Sequence, residues 1–385
     1  MLLRVRRVGA GPERKVRVPM TKITVVGAGM VGSSTAMRIG ERRLCDRLVL
    51  VDVVEGVAEA MALDIGQALP FAGSDTLVEG GTGYEATAGS DVVVVTAGLP
   101  RKPGQSRADL LEANGKIIAG VAEEVRARSP QAVVIVVTNP LDEMTALAQR
   151  VTGFPPERVM GMAGMLDTAR FRAFIAWKTG VPPSRVEALT LGSHGETMVP
   201  VPGLSRVDGR PLGEALSQAE VEALVERTRD GGAEIVKLLK RGSAWWAPSA
   251  AICEMVQSIV RDEGRVLPLS AYCRGEFGID GVYVGVPARL GRRGVTEIVD
   301  PGLGPDVVAG LQAAAAEVAG RVAELDRILA GEKGEQPEAA PASAGAGRDL
   351  VLESKVRVAA RAVLGRQGNL SRLEEVVERA LAQLR

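Results

Sequence analysis

The chain has 385 residues and only one histidine, His194, within the segment LGSHGETMVP. Histidine is the side chain that gains and loses a proton near neutral pH. A lone histidine is more often structural than catalytic. Here, however, glycines flank it at the predicted end of a strand, where a ligand can approach the backbone. We therefore predict that His194 transfers protons.

The segment GMAGMLDTARFRAFIAWKTG, residues 161–180, supplies candidate partners for the histidine. Asp167 and Arg170 lie three residues apart on a predicted helix and so share a face. A carboxylate beside an imidazole selects its tautomer and stabilises its cation, and a guanidinium binds a carboxylate through two parallel hydrogen bonds. The alternative is that Asp167 and Arg170 form an ordinary surface ion pair, and only the presence of the histidine favours a catalytic role for them.

The segment TAGLPRKPGQSRADLLEAN, residues 96–114, is predicted to be a loop as far as about Ser106. Its prolines and glycines oppose helix, and such loops can cover an active site. Arg101 lies in the loop, and Arg107 lies where the next helix starts. A positive charge is mildly unfavourable at a helix N-terminus, which favours a ligand-binding role for Arg107.

A glycine-rich turn, GAGMVG, follows the first apolar run and opens a predicted helix. This context indicates dinucleotide binding: Gly27 allows a tight turn, Gly29 lets backbone approach a pyrophosphate, and Gly32 lets the helix pack closely. Asp52 ends the second strand and would bind a ribose 2′-hydroxyl, so NAD is favoured over NADP. The cofactor contacts expected here are Gly27, Ala28, Gly29, Met30, Val31, Gly32 and Asp52.

The first half of the chain alternates short apolar runs with amphipathic stretches. The runs lie at 22–27, 47–52, 91–98 and 132–139. Runs without polar alternation are typical of parallel strands covered on both faces. The predicted fold class is therefore α/β, with a Rossmann doubly wound parallel sheet.

The second half mixes helices and strands and predicts a C-terminal α+β substrate domain. Predicted helices lie near 164–180, 218–240, 246–262 and 305–330, and predicted strands near 186–191, 265–273, 281–287 and 294–299. The predicted organisation is an extension or misplaced start at 1–20, an NAD-binding domain at 21–162, a substrate and catalytic domain at 163–330, a flexible linker at 331–349 and a short helical tail at 350–385. The tail either packs on its own protein or binds an unknown partner.

Composition argues against several classes of protein. The net charge is zero and aromatic residues make up 3%, so no basic surface with interleaved aromatics predicts nucleic-acid binding. Three widely spaced cysteines and one histidine predict neither a disulfide framework nor a metal site. No apolar run approaches the roughly 20 residues of a membrane span. We expect a cytoplasmic protein.

Five motifs in order resemble the lactate/malate dehydrogenase family, and within it the lactate-dehydrogenase-like malate dehydrogenases. They are GAGMVG, TAGLPRKPGQSR, VVTNPLD, GMAGMLDTARFR and LGSHGETMVPVP, and the resemblance covers about residues 21–330. It implies a Rossmann domain, a substrate domain, NAD as cofactor and a homodimer or homotetramer.

The resemblance also implies residue roles. His194 would donate and accept the proton, Asp167 would orient it and stabilise its cation, and Arg107 would polarise the substrate carbonyl. Arg170 would clamp the adjacent carboxylate. The remaining contacts that it implies are Asn139 with substrate and nicotinamide, and Asn114 and Val137 with the cofactor.

Arg101 would decide the substrate, because the resemblance places an arginine there in enzymes that act on malate and a neutral glutamine in those that act on lactate. A dicarboxylate in a dry pocket needs a second positive partner. The expected reaction interconverts (S)-malate and oxaloacetate. The alternatives are a dehydrogenase for lactate or another 2-hydroxy acid, and a non-catalytic NAD-sensing scaffold.

Overall fold

The computed structural model describes residues 21–100, 106–195, 197–240 and 242–331. The predicted extension at 1–20, the linker beyond residue 331, the tail at 350–385 and Arg101 lie outside the described residues.

The first half of the chain forms a parallel sheet with helices between its strands, which confirms the predicted Rossmann class. Its spatial order is β3-β2-β1-β4-β5-β6, and every neighbouring pair is parallel. The elements in chain order are β1 (Lys22–Val26), α1 (Met30–Glu41), β2 (Arg47–Val51), α2 (Val57–Ala68), β3 (Leu77–Gly81), β4 (Val92–Val95), α3 (Arg107–Arg128), β5 (Val133–Val136), α4 (Leu141–Thr152) and β6 (Val159–Gly161).

Four of these strands were predicted from their apolar runs, and each is shorter than its run. β4 and β5 are buried at every position, as expected for valine-rich strands covered on both faces. β3 was not predicted. Its sequence LVEGG is half-exposed at an outer position of the sheet, so it lacks the continuous apolar run of a central strand.

The second half extends the same sheet with antiparallel strands. β12 joins β6 at Ser270 and Gly161, and β13, β8 and β9 follow it, with β14 also pairing β13. The elements are α5 (Gly164–Thr179), β7 (Val186–Glu187), β8 (Thr190–Gly192), β9 (Met198–Pro200), β10 (Arg206–Val207), β11 (Arg210–Pro211), α6 (Leu212–Ala215), α7 (Gln218–Leu239), α8 (Trp246–Val260), β12 (Arg265–Arg274), β13 (Asp280–Gly291), β14 (Gly294–Ile298) and α9 (Pro305–Leu329).

One predicted strand, 186–191, is wrong as a single element. β7 belongs to a separate sheet with β10 and β11, whereas β8 pairs with β13 and β9 in the main sheet. The chain changes sheet between Glu187 and Thr190, and both strands are too short for the apolar pattern to reveal the break.

Two glycines allow the strand before the histidine to approach the sheet. Gly192 pairs with Gly285 of β13, and a Cβ on Gly285 would lie 2.3 Å from the Gly192 carbonyl oxygen. Gly192 itself has a φ of +79°, which favours glycine. The loop after β8 brings the His194 N–H to the first turn of α4, which follows the carboxyl end of β5.

In the described part of the chain, no helix has both the length and the apolar character needed to cross a bilayer.

Candidate active site

His194 and Asp167 are hydrogen-bonded, as the sequence predicted they could be. The imidazole Nδ1 lies 2.8 Å from Asp167 Oδ2. Asp167 stands in the first turn of α5, and His194 lies in the loop after β8. The side chain of Asp167 is 3% exposed and that of His194 is 19% exposed, so the pair is nearly dry.

The surroundings raise the pKa of His194. Burial acts to lower it, because desolvation disfavours the imidazolium, but the charge of Asp167 and its hydrogen bond favour the imidazolium and prevail. Arg170 acts to lower the pKa, and Asp142 acts to raise it. The protonated imidazole is therefore favoured closer to neutral pH than in an isolated histidine.

Arg170 completes a row of three side chains. Its Nη1 donates to Asp167 Oδ1 at 3.1 Å, so one carboxylate serves both the histidine and the arginine. Arg170 Nε is buried and has no hydrogen-bond partner among the described residues. A buried guanidinium with unused donors is suited to an incoming carboxylate.

The helix that follows the loop begins at Arg107, as predicted. Ser106 caps it, and the Ser106 side chain and Asp109 form reciprocal hydrogen bonds. The Arg107 side chain is half-exposed, and its Nη2 lies 3.8 Å from Oε1 of the buried Glu143. Arg321 of α9 contacts the same Glu143 oxygen.

The Asn114 amide does not face solvent but connects the segments that follow β4 and β5. Asn114 is 1% exposed. Its Nδ2 donates to the Asn139 carbonyl at 2.6 Å and to the Leu99 carbonyl at 3.1 Å, and its Oδ1 accepts the Leu99 N–H. The Asn139 backbone is thereby fixed while its side chain stays exposed at the carboxyl edge of β5.

Asp142 is a residue of this site that sequence reasoning missed. It is 2% exposed, and its Oδ2 accepts the backbone N–H of His194 at 3.2 Å. Its Oδ1 accepts the hydroxyl of Ser270 at 2.6 Å. The available signal was the acidic pair that follows Asn-Pro-Leu. Acidic residues in a first helical turn are also explained by the helix dipole, so the pair did not stand out.

The glycine-rich turn has the shape that the sequence predicted. Gly27 has a φ of +96°, and a Cβ there would lie 2.7 Å from the Ala97 nitrogen. A Cβ on Gly32 would lie 1.8 Å from the Gly27 carbonyl oxygen. Gly29 differs, because a Cβ there would meet nothing within 4 Å. The turn is packed on two sides and open at Gly29.

This opening lies beside the start of α1, which fits a pyrophosphate. No acidic residue occupies the first turn of α1, and no side chain caps it. Asp52 accepts the Ala28 N–H at 2.7 Å and the Val54 N–H at 3.0 Å, which places its carboxylate next to the turn. Of the other predicted contacts, Met30 is 58% exposed, whereas Val31 and Val137 are half-buried. These residues fit a dinucleotide whose ribose meets Asp52.

Two family models match the chain. The lactate/malate dehydrogenase NAD-binding domain matches residues 21–161, and the lactate/malate dehydrogenase alpha/beta C-terminal domain matches residues 164–324. The chain belongs to the lactate/malate dehydrogenase family. NAD, the cofactor expected from Asp52 and the glycine-rich turn, agrees with the description of the first model.

Relatives support this membership along most of the chain. The malate dehydrogenase of Chloroherpeton thalassium is 52% identical over 297 residues, which cover 77% of this chain and 96% of that protein. The malate dehydrogenase structure from Salinibacter ruber has a TM-score of 0.78 at 43% identity, covering 81% of this chain and all of that one. A lactate dehydrogenase from Cryptosporidium parvum, solved with lactic acid and nicotinamide adenine dinucleotide, has a TM-score of 0.77 at 38% identity and covers 80% of this chain and 99% of that one.

Proposed function

We propose that this chain is an NAD-dependent malate dehydrogenase, which interconverts (S)-malate and oxaloacetate. The observation that carries the proposal is the hydrogen-bonded row from Arg170 through Asp167 to His194. A proton-transfer group and a carboxylate-binding group are thus held side by side, as a 2-hydroxy acid requires. Relatives that are about half identical over most of the chain are named malate dehydrogenase, which favours malate as the substrate.

His194 takes the proton from the C2 hydroxyl of malate and returns it to the carbonyl oxygen of oxaloacetate. Because Asp167 occupies Nδ1, Nε2 is the nitrogen that faces this task. Asp167 keeps the ring in one tautomer and stabilises the imidazolium that forms. Arg170 binds the C1 carboxylate through the donors that Asp167 leaves unused.

When bound, nicotinamide adenine dinucleotide would supply the hydride acceptor for C2 of malate. The glycine-rich turn from Gly27 to Gly32 would hold its pyrophosphate, and Asp52 would hold the adenine-side ribose. Asn139, Asn114 and Val137 would serve the nicotinamide end, and the Asn114 amide fixes the backbone of Asn139.

Two arginines contribute the remaining charge. Arg107 polarises the C2 carbonyl, and its half-exposed side chain is loosely held by Glu143 at 3.8 Å. Arg101 pairs with the second carboxylate of the substrate. The support for Arg101 is the sequence resemblance, because the residue lies outside the described ranges.

The test is NADH oxidation, followed at 340 nm with oxaloacetate and separately with pyruvate, on the full chain. We expect kcat/KM to favour oxaloacetate by about 10³-fold or more, which is roughly 4 kcal/mol of discrimination. A preference for pyruvate would indicate a lactate dehydrogenase instead. Normal NADH binding without turnover of either acid would indicate a sensing role instead.

A homodimer or homotetramer belongs to the same proposal. The described residues expose several large apolar side chains, and burial of such side chains between copies of the chain would favour association. Among the most exposed are Val53, Leu63, Phe71, Leu238 and Trp246. Sedimentation velocity at micromolar concentration distinguishes these states from a monomer, and a monomer across that range would remove this part of the proposal.

A further inference from the structure

Asp142 is a buried carboxylate that has no role in the reaction described above. It is the second residue of α4, and its two oxygens accept hydrogen bonds from two different parts of the fold. Oδ2 accepts the His194 N–H at 3.2 Å, and Oδ1 accepts the Ser270 hydroxyl at 2.6 Å. Ser270 is fully buried on β12. Asp142 therefore joins the histidine loop to the strand that continues the parallel sheet.

His194 is thus served by two carboxylates that act on different atoms. Asp167 contacts the ring, whereas Asp142 contacts the main chain. The ring can meet Asp167 correctly only if the main chain of the loop is in place, and misplacement by about 1 Å can cost a large factor in rate. Among the described residues of this loop, the hydrogen bond between the Ser193 and Thr197 hydroxyls stays within the loop and does not reach the sheet.

We propose that Asp142 is a positioning residue for proton transfer, whose ionised carboxylate fixes the His194 main chain and favours the imidazolium. This rests on the proposed role of His194. Asp142 touches neither substrate nor cofactor in this scheme, and it acts through the histidine alone.

The charges around Asp142 give the proposal a pH signature. Burial raises the pKa of Asp142 to about 6, and the Ser270 hydroxyl opposes the rise, while neighbouring Glu143 adds to it. The His194 N–H and the charge of His194 also favour the ionised form. Among the described residues, the other charged groups that act on the pKa of His194 are Asp167 and Arg170 of α5. Asp142 is therefore ionised above about pH 6 and loses its charge below it.

The single histidine makes a direct measurement possible, because every imidazole signal of the chain belongs to His194. We would titrate its Cε1–H by NMR in the full chain, with any affinity tag removed. Asp142→Asn removes the charge and keeps the side-chain shape. We expect the pKa of His194 to fall by about half a unit to one unit, because a nearby negative charge is lost.

Ser270→Ala tests the same residue while keeping its charge. Loss of the hydroxyl donor raises the pKa of Asp142, because that hydrogen bond favours the carboxylate. For oxaloacetate reduction we expect kcat/KM of the unsubstituted chain to fall below about pH 6. In Ser270→Ala this acid limb moves to higher pH, and in Asp142→Asn it disappears.

Ser258→Ala is the matched control. Ser258 lies in α8, away from the site, and is also fully buried. Its hydroxyl donates to the Leu290 carbonyl at 2.7 Å. A change in packing or stability alone affects both serine variants alike and moves neither the titration of His194 nor the acid limb.

The two readouts separate this proposal from the proposed function. An unshifted His194 titration in Asp142→Asn overturns the positioning role, whatever the activity. If Asp142→Asn does not fold, Ser270→Ala decides, and an acid limb that stays in place overturns the proposal. If the chain reduces neither oxaloacetate nor pyruvate, the proposed function fails, while the NMR titration still decides the role of Asp142.

Discussion

The Arg107 guanidinium lies 3.8 Å from the carboxylate of Glu143, a residue that is only 1% exposed. The contact is long, and Arg321 contacts the same oxygen from α9. Glu143 therefore has one close partner and one loose partner. Arg107 can leave for a substrate without leaving a buried carboxylate uncompensated, because Arg321 stays.

Glu143→Gln should destabilise the fold. Removing one partner of a buried ion pair costs about 3–5 kcal/mol, and we expect the lower end, since Arg321 keeps Glu317 as a second partner. Glu317→Gln is the control. It removes the more exposed partner of the same arginine, and such pairs contribute about 1 kcal/mol or less. Urea unfolding measures the free energy of unfolding of both variants. Equal losses would show that Glu143 contributes no more to stability than Glu317.

His194→Asn should stop turnover and leave cofactor binding intact. Asparagine cannot exchange a proton near neutral pH, so we expect kcat to fall by about 10²- to 10⁴-fold. NADH binding, followed by its fluorescence, should stay within about twofold, since no dinucleotide contact is assigned to His194. A parallel loss of turnover and NADH affinity would mean that the histidine supports the fold of the site instead.

Asp167→Asn should shift the pH dependence towards acid. Burial alone lowers the pKa of His194, and the Asp167 carboxylate is what raises it above the ordinary value of 6.5. Without that charge the pKa should drop by about one unit or more. Oxaloacetate reduction needs the imidazolium, so kcat/KM falls as the pH rises through the pKa of His194. In Asp167→Asn this fall should begin at a lower pH. An alkaline limb at the pH of the unsubstituted chain would exclude His194 as the titrating group.

Arg101→Gln should change substrate preference. The neutral amide cannot compensate a second carboxylate, so kcat/KM for oxaloacetate should fall relative to pyruvate by about tenfold or more, since an uncompensated charge is costly in a dry site. Arg210→Gln is the control, because Arg210 is exposed on β11 and belongs to no predicted site. If the ratio of the two substrates does not change in Arg101→Gln, Arg101 does not determine specificity.

Gly29→Ala and Gly32→Ala should separate cofactor binding from folding. A Cβ at residue 29 meets nothing within 4 Å, so stability should hold while the methyl group fills the space assigned to the pyrophosphate. We expect the Kd of NADH to rise by about tenfold or more, or 1.4 kcal/mol. Isothermal titration calorimetry measures this, and unchanged affinity would place the pyrophosphate elsewhere.

Gly32→Ala should instead destabilise the folded protein. Its Cβ would lie 1.8 Å from the Gly27 carbonyl oxygen, and that backbone cannot move without breaking the turn. Overpacking of this kind costs about 1–3 kcal/mol or more. A thermal melt that matches the unsubstituted chain would contradict the close packing of α1.

Much of the fold follows from local pattern. The helix predicted to start at Arg107 does start there, because a segment rich in proline and glycine precedes it and Ser106 caps its first turn. The central strands follow from continuous valine runs. Asp167 and Arg170 were predicted to share a face, since helical spacing fixes that regardless of what packs against it.

Other features required the tertiary structure. Asp142 meets the backbone of a residue 52 positions later, and Glu143 meets Arg321, 178 positions later. In the sequence both acids are explained by the start of a helix, so no local signal separates a dipole effect from a hydrogen-bond partner. The division of 186–191 between two sheets has the same origin, because strands of two or three residues take their identity from the strands they pair with.

The sequence by itself therefore determined which groups could do chemistry, where the central strands lie along the chain and which residues share a helix face. These features depend on side-chain type and spacing. The tertiary structure alone decided which buried carboxylate serves the backbone of His194 and which receives Arg107. Those choices depend on how α4, α5, α9 and the antiparallel strands pack around the carboxyl edge of the sheet. Long-range packing of this kind leaves no periodic mark on the chain.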